Sequence, residues 1–191
     1  MQWFNFKRNT GGAARQTVPP HLNAAEYARH YADQSQFGSA EFMSLSGEIC
    51  WDAVVLCAHK SGAISQAKYN QLWYKVFDKQ YKHFVSPDDT EISTMADMLR
   101  APQGCFIGFF SMRDAAAPRL LHAMIGTGAG FAAGNKNACI GVGGAVGWEN
   151  LNLARDLRWQ PDGGFVRPGD TEVLRIFYRP FPVVSASDIS P

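Results

Sequence analysis

The sequence predicts an α+β fold, with helices gathered in the first half and an antiparallel sheet in the second. Three observations carry this. Apolar residues recur at helical spacing as far as Arg100, behind recognisable helix starts. After Gly104 the texture changes to short apolar runs separated by turn residues, the pattern of buried strands. No alternation of strand and helix follows, which sets the chain apart from parallel α/β folds. With 191 residues, 46% of them hydrophobic, it can bury a sizeable core as a single domain over 21–191. Residues 1–20 hold Gly11-Gly12 and Pro19-Pro20 and read as a flexible N-terminal arm.

The elements follow in order. A short helix is expected over His21–Asp33, then a loop rich in Ser, Gln and Gly over 34–47. The run from Cys50 to Lys60 is apolar on most faces and stops at Ser61-Gly62, so it predicts a buried helix. Ser65 caps a second helix through Lys82, with Tyr69, Leu72, Trp73, Val76 and Phe77 at helical spacing. Ser86-Pro87-Asp88-Asp89 predicts a third, ending near Arg100. Cys105–Phe110 and Leu120–Gly130 read as strands, Asn135-Lys136-Asn137 as a turn, and Ala138–Val142 as the return strand of a hairpin. Trp148–Trp159 suits either a short helix or an irregular edge, and Val173–Tyr178 is the last strand.

Composition excludes several function classes. Eighteen Lys and Arg against 17 acidic residues give a formal charge of +1. That balance supplies no attraction for nucleic acid or an anionic membrane. No segment reaches the ~20 apolar residues of a membrane helix. Met1–Arg8 lacks the charge-then-apolar order of a secretory signal, so the expectation is a cytoplasmic protein or one exported without a cleaved signal. The four cysteines show no metal-binding spacing, and no metal or organic cofactor is implied. Cys57, Cys105 and Cys139 lie in apolar surroundings and are expected to be buried.

Cys50 differs because Gly47-Glu48-Ile49 precedes it and a helix begins at it. A helix N-terminus carries roughly half a positive charge and favours a thiolate. His122 opens the second strand, so a thiol at a helix start and an imidazole at a strand end are the parts of a nucleophile and its base. Gly126-Thr127-Gly128-Ala129-Gly130 invites a dinucleotide-loop reading, but such a loop must open a helix, and a turn is expected here instead. His59 and His83 sit at helix C-terminal ends, where a partly positive ring suits the dipole. Asp52 serves the same dipole at the first turn.

Gly47-Glu48-Ile49-Cys50-Trp51, leading into a buried helix, resembles the nucleophile segment of papain-like cysteine hydrolases. His122-Ala123-Met124-Ile125 is similar to that family's histidine strand, and the order of helical part before sheet part also matches. The resemblance spans about residues 44–180. It implies a papain-like fold, with the nucleophile helix packed on the sheet, and a Cys50–His122 amide hydrolase. The compact length is similar to bacterial toxin and effector members: proteases or glutamine deamidases that act on a protein substrate and are paired with an immunity protein or chaperone. The family's third member is an Asn or Asp at the far end of the strand that pairs with the histidine strand. On the expected hairpin that end falls at Gly141–Gly144, and Asn135 and Asn137 lie at the remote turn. Glu149 is therefore the expected orienter of His122, with Asn150, or a plain dyad, as the alternative. The family's oxyanion glutamine has no counterpart, since Ser44 stands at that spacing, so Ser44, Ser46 or backbone amides would replace it. A peptidoglycan amidase, or a non-catalytic protein-binding module on the same fold, are the competing functions.

Overall fold

A computed structural model describes residues 20–34, 38–73 and 80–181. The order is α1 (Pro20–Arg29), α2 (Ala40–Gly47), α3 (Cys50–Lys60), α4 (Gln66–Leu72), β1 (Thr90–Ile92), α5 (Met95–Arg100), β2 (Cys105–Ser111), β3 (Arg119–Gly128), β4 (Phe131–Asn135), β5 (Trp148–Asn152), α6 (Leu153–Asp156), β6 (Phe165–Val166) and β7 (Val173–Pro180). All the strands join one antiparallel sheet in the order β1-β7-β2-β3-β4-β5, with β6 pairing to β7. The α+β class is therefore observed.

Strand alternation divides the core between the two faces of this sheet. Phe106, Phe110, Ala123, Ile125 and Ala133 face α1–α4, where they join Ala24, Leu45, Trp51, Val54, Val55 and Leu72. Cys105, Ile107, Phe109 and Met124 face the other way and join Met98 of α5 and Leu153 of α6. Helices on both faces explain why β2 is buried at every position and reads as a continuous apolar run.

The helix at Cys50 forms over Cys50–Lys60, as the spacing predicts. Trp51 fixes its first turn. The indole N–H donates to the Leu72 carbonyl at 3.0 Å, and the ring meets Phe84 and Phe106 edge-on, at centroid distances of 5.9 and 5.5 Å. α4 starts at the Ser65 cap but ends at Leu72; positions 74–79 of its expected continuation lie outside the described residues, as does the arm over 1–19.

Three expectations are corrected. The 34–47 loop contains α2, capped where the Ser39 hydroxyl accepts the Phe42 N–H. Ser86–Asp89 is a turn and not a helix start, because the Asp89 carboxylate takes both the Ser86 N–H at 2.6 Å and Arg179 Nε at 2.7 Å, tying the segment to β7. The helix begins instead at a capping box formed by Thr94 and Asp97. Most consequential, the hairpin after β3 turns at Ala129-Gly130, with φ of 53° and 84°, so β4 is Phe131–Asn135. Two positive φ angles suit a tight two-residue turn between twisted strands. Residues 138–142 then belong to a short 3₁₀ turn and its exit.

Trp51→Phe keeps the ring packing but leaves the buried Leu72 carbonyl without its donor. We expect a loss of about 1–3 kcal/mol, read as a lowered urea midpoint with unchanged slope.

Candidate active site

The corrected hairpin register brings Asn137 beside His122. β3 and β4 run antiparallel, with Ile125 opposite Ala133, so the end of β4 lies beside the His122 end of β3. There the chain leaves the sheet, because Lys136 takes a left-handed conformation at φ 58°, ψ 42°. The residues on either side of this break point in different directions and do different work.

Asn135 holds the nucleophile segment. Its amide nitrogen donates to the carbonyls of Leu45 and Ser46, at 3.0 and 3.1 Å, and to that of Glu48. These are acceptors that the end of α2 leaves open. The Lys136 ammonium reaches the Gly47 carbonyl at 3.5 Å. Cys50 then opens α3 two residues beyond Glu48. The Ala123 backbone acts to lower the pKa of its thiol. The N–H of Ala123 belongs to the peptide that joins His122 to Ala123. Gly126 accepts the Gly104 N–H on the β2 side, so strand alternation turns the Ala123 peptide groups toward β4.

Asn137 holds the imidazole. His122 is 0% exposed, and its Nε2 lies 3.0 Å from Asn137 Oδ1. The amide nitrogen of Asn137 donates to the Gly134 carbonyl at 3.0 Å and to the Glu149 carboxylate at 3.1 Å. Two acceptors fix that end of the amide as nitrogen and leave oxygen facing the ring. An oxygen cannot donate, so Nε2 must carry the proton, and Nδ1 is left with its lone pair. Nδ1 is buried and makes no hydrogen bond. Gly134 is required at its position, because a Cβ there would stand 2.8 Å from Met124 Cγ and 3.0 Å from Asn137 Oδ1.

Glu149 thus stands one bond further out than expected. It orients Asn137 and also accepts the Gly144 N–H at 2.7 Å. Asn150 instead bonds Thr127 at 2.7 Å and Asp33 at 3.4 Å. Asn137 was missed because the hairpin was expected to turn at it. A usable signal was present: Gly128-Ala129-Gly130 offers the positive-φ turn, and moving the turn there puts Asn137 beside His122.

Burial sets the charge states. It pushes the Cys50 thiol above its ordinary value, and Asp52 adds to the rise. The Ala123 and Trp51 backbone groups and the Lys136 ammonium pull the other way without cancelling it. Burial also pushes His122 down to about 4, against a smaller upward pull from Asn137. The expected thiolate–imidazolium pair is therefore replaced by a neutral thiol and a neutral imidazole. Cys57 and Cys105 are buried as expected, whereas Cys139 is exposed.

The start of α3 differs from the other helix starts. Side chains of Ser39, Ser65, Thr94 and Asn152 cap α2, α4, α5 and α6, but Ile49 precedes α3 and supplies no cap. The residue before α3 therefore offers no side-chain acceptor to the first-turn N–H groups. The Ser46 hydroxyl, a candidate substitute for the oxyanion glutamine, accepts the Trp148 N–H at 3.1 Å. Gly126–Gly130 leads into a strand and not a helix, so the geometry of a dinucleotide loop is not formed. Among the described residues no cluster of His, Cys, Asp and Glu could hold a metal ion, and no helix is long and apolar enough to cross a membrane.

No family model, curated protein or solved structure matches this chain.

The depressed His122 pKa has a defined signature. Between about pH 6.5 and 4 the unfolded chain binds a proton at this residue that the folded chain does not, so stability falls with pH across that window. The full cost is about 3 kcal/mol. Urea denaturation of wild type and His122→Gln should show a difference in stability that shrinks by about that amount as pH drops from 7 to 4.

Proposed function

We propose that the chain is a cysteine-dependent amide hydrolase acting on a protein, with Cys50 as nucleophile and His122 as general base and acid. The observation that carries this reading is the fixed tautomer of His122, whose Nε2 faces Asn137 Oδ1 and whose one basic nitrogen makes no hydrogen bond. Asn137 follows the strand paired with the histidine strand, the position papain-like enzymes use for their third member, which supports a papain-like assignment. Asn137 and Glu149 are positioning residues.

The reaction runs from the neutral pair. Sulfur attacks the carbonyl carbon of an amide while its proton passes to His122 Nδ1. The carbonyl oxygen becomes an oxyanion, and the uncapped N–H groups at the start of α3 stabilise it. As the tetrahedral intermediate collapses, the C–N bond breaks and Nδ1 returns the proton to the leaving amine or ammonia. Water, deprotonated by the same nitrogen, then hydrolyses the thioester and frees the thiol. Starting neutral has a physical basis, since ionising two buried groups costs several kcal/mol per charge before their attraction is recovered. Asn137 Oδ1 then supports the imidazolium only as it forms.

A second reading, a protein-binding module without catalysis, is favoured by the raised thiol pKa alone.

Intact-mass analysis of cell lysates incubated with the protein separates the two. Hydrolysis gives a gain of about one dalton for side-chain deamidation, or new fragments for peptide cleavage, both lost with Cys50→Ala. His122→Ala should slow the reaction on the order of 10²–10⁴-fold, and Asn137→Ala on the order of 10²-fold. The absence of any Cys50-dependent change would leave the binding module.

A further inference from the structure

A cavity of about 450 Å³ lies at the turn end of the β3–β4 hairpin, within the ~300–1,000 Å³ range of ligand clefts. Gly128, on its wall, stands at the opposite end of β3 from His122, roughly 20 Å away at the rise of a strand. The cavity is therefore separate from the candidate active site. Its helical side is built from the last residue of α1, Arg29, and from Asp33 in the π-helical turn that follows (His30–Gln34). Widened turns of this kind occur frequently at functional sites. Its sheet side is built from Thr127 and Gly128 of β3 and Asn150 of β5.

An arginine and an aspartate four residues apart on a helix ordinarily pair with each other. Among the described residues these two do not. The Arg29 guanidinium donates to the Thr127 carbonyl at 2.9 Å, and the Asp33 carboxylate accepts from the Asn150 amide at 3.4 Å. The direction of that amide is fixed, because its oxygen accepts the Thr127 hydroxyl at 2.7 Å. Strand groups thus hold the two charges apart. Most of the guanidinium N–H groups and most of the carboxylate lone pairs remain unspent. Charges at cavities elsewhere are compensated: Arg167 pairs with Asp170 beside the 138–147 loop, and Arg175 with Glu91 beside β1. Gly128, at φ 94°, keeps the sheet side of the cavity free of a further side chain.

We infer that this cavity binds a small zwitterion of the free amino acid class, its carboxylate on Arg29 and its ammonium on Asp33. A lone anion gains Arg29 but meets the like charge of Asp33, and a lone cation meets Arg29. The pair therefore selects a molecule that carries both charges. Phe131 supplies an apolar wall for the ligand's side chain. The site does not depend on the hydrolase reading.

The test is a titration of the ¹⁵N-labelled full chain with leucine at pH 7, followed by NMR of the Thr127–Gly130 amides. Leucine should bind with a Kd of about 1 mM or tighter. N-acetyl-leucine keeps only the carboxylate and leucinamide only the ammonium, and each should bind about tenfold more weakly. Asp33→Asn should remove the advantage of leucine over N-acetyl-leucine, and Arg29→Gln its advantage over leucinamide, with unchanged melting temperatures confirming the fold. Glycyl-leucine, whose charges stand one residue further apart, separates two sources of the same chemistry: the tighter binder of the two names a free amino acid or a dipeptide. Equal binding of leucine and its two singly charged derivatives overturns the site. So does the absence of a saturable shift up to about 20 mM, a preference that both variants leave intact, or binding that is lost in Cys50→Ala.

Discussion

The site depends on the saturation of one amide group. Asn137 has two N–H donors, and the Gly134 carbonyl and the Glu149 carboxylate take both. Its oxygen is left to face His122 Nε2, and the tautomer follows. Rotating the amide by half a turn would place its oxygen against a carbonyl and a carboxylate, in a region where an unpaired buried polar group costs about 1–3 kcal/mol. Glu149 therefore acts through Asn137 and is as necessary to the direction of the imidazole as a direct contact would be.

The same short segment joins the two halves of the molecule. Asn135 grips the carbonyls ahead of α3, and Asn137 grips the histidine of β3. Lys136, held left-handed between them, takes the chain out of β4. The segment before Cys50 and the His122 ring are thus both held from one point in the chain. Burial favours uncharged states of Cys50 and His122 over an ion pair, so on the hydrolase proposal the proton moves during the reaction and no preformed thiolate is needed.

Much of this was legible in the sequence. The α3 start at Cys50, the strands at 105–111 and 119–128, and the division into helical and sheet halves follow from apolar periodicity and turn residues. What failed were choices between local signals of similar strength. Asn135-Lys136-Asn137 is as turn-like as Gly128-Ala129-Gly130, and choosing the wrong one displaced β4 and hid Asn137. α2 was missed because the residues before it are polar and its end is completed from β4, by Asn135. The ionisation of Cys50 was misjudged because helix-terminus and partner effects can be read from sequence, whereas the larger effect of burial requires the packed fold.

The most direct measurement is the ¹⁵N NMR of the His122 ring at pH 7, with long-range coupling from the carbon-bound protons to distinguish the two nitrogens. A neutral ring protonated at Nε2, with Nδ1 carrying the lone pair, is the result expected from the Asn137 amide. A ring protonated at Nδ1 would contradict it, because the nitrogen assigned to take the thiol proton would already be filled.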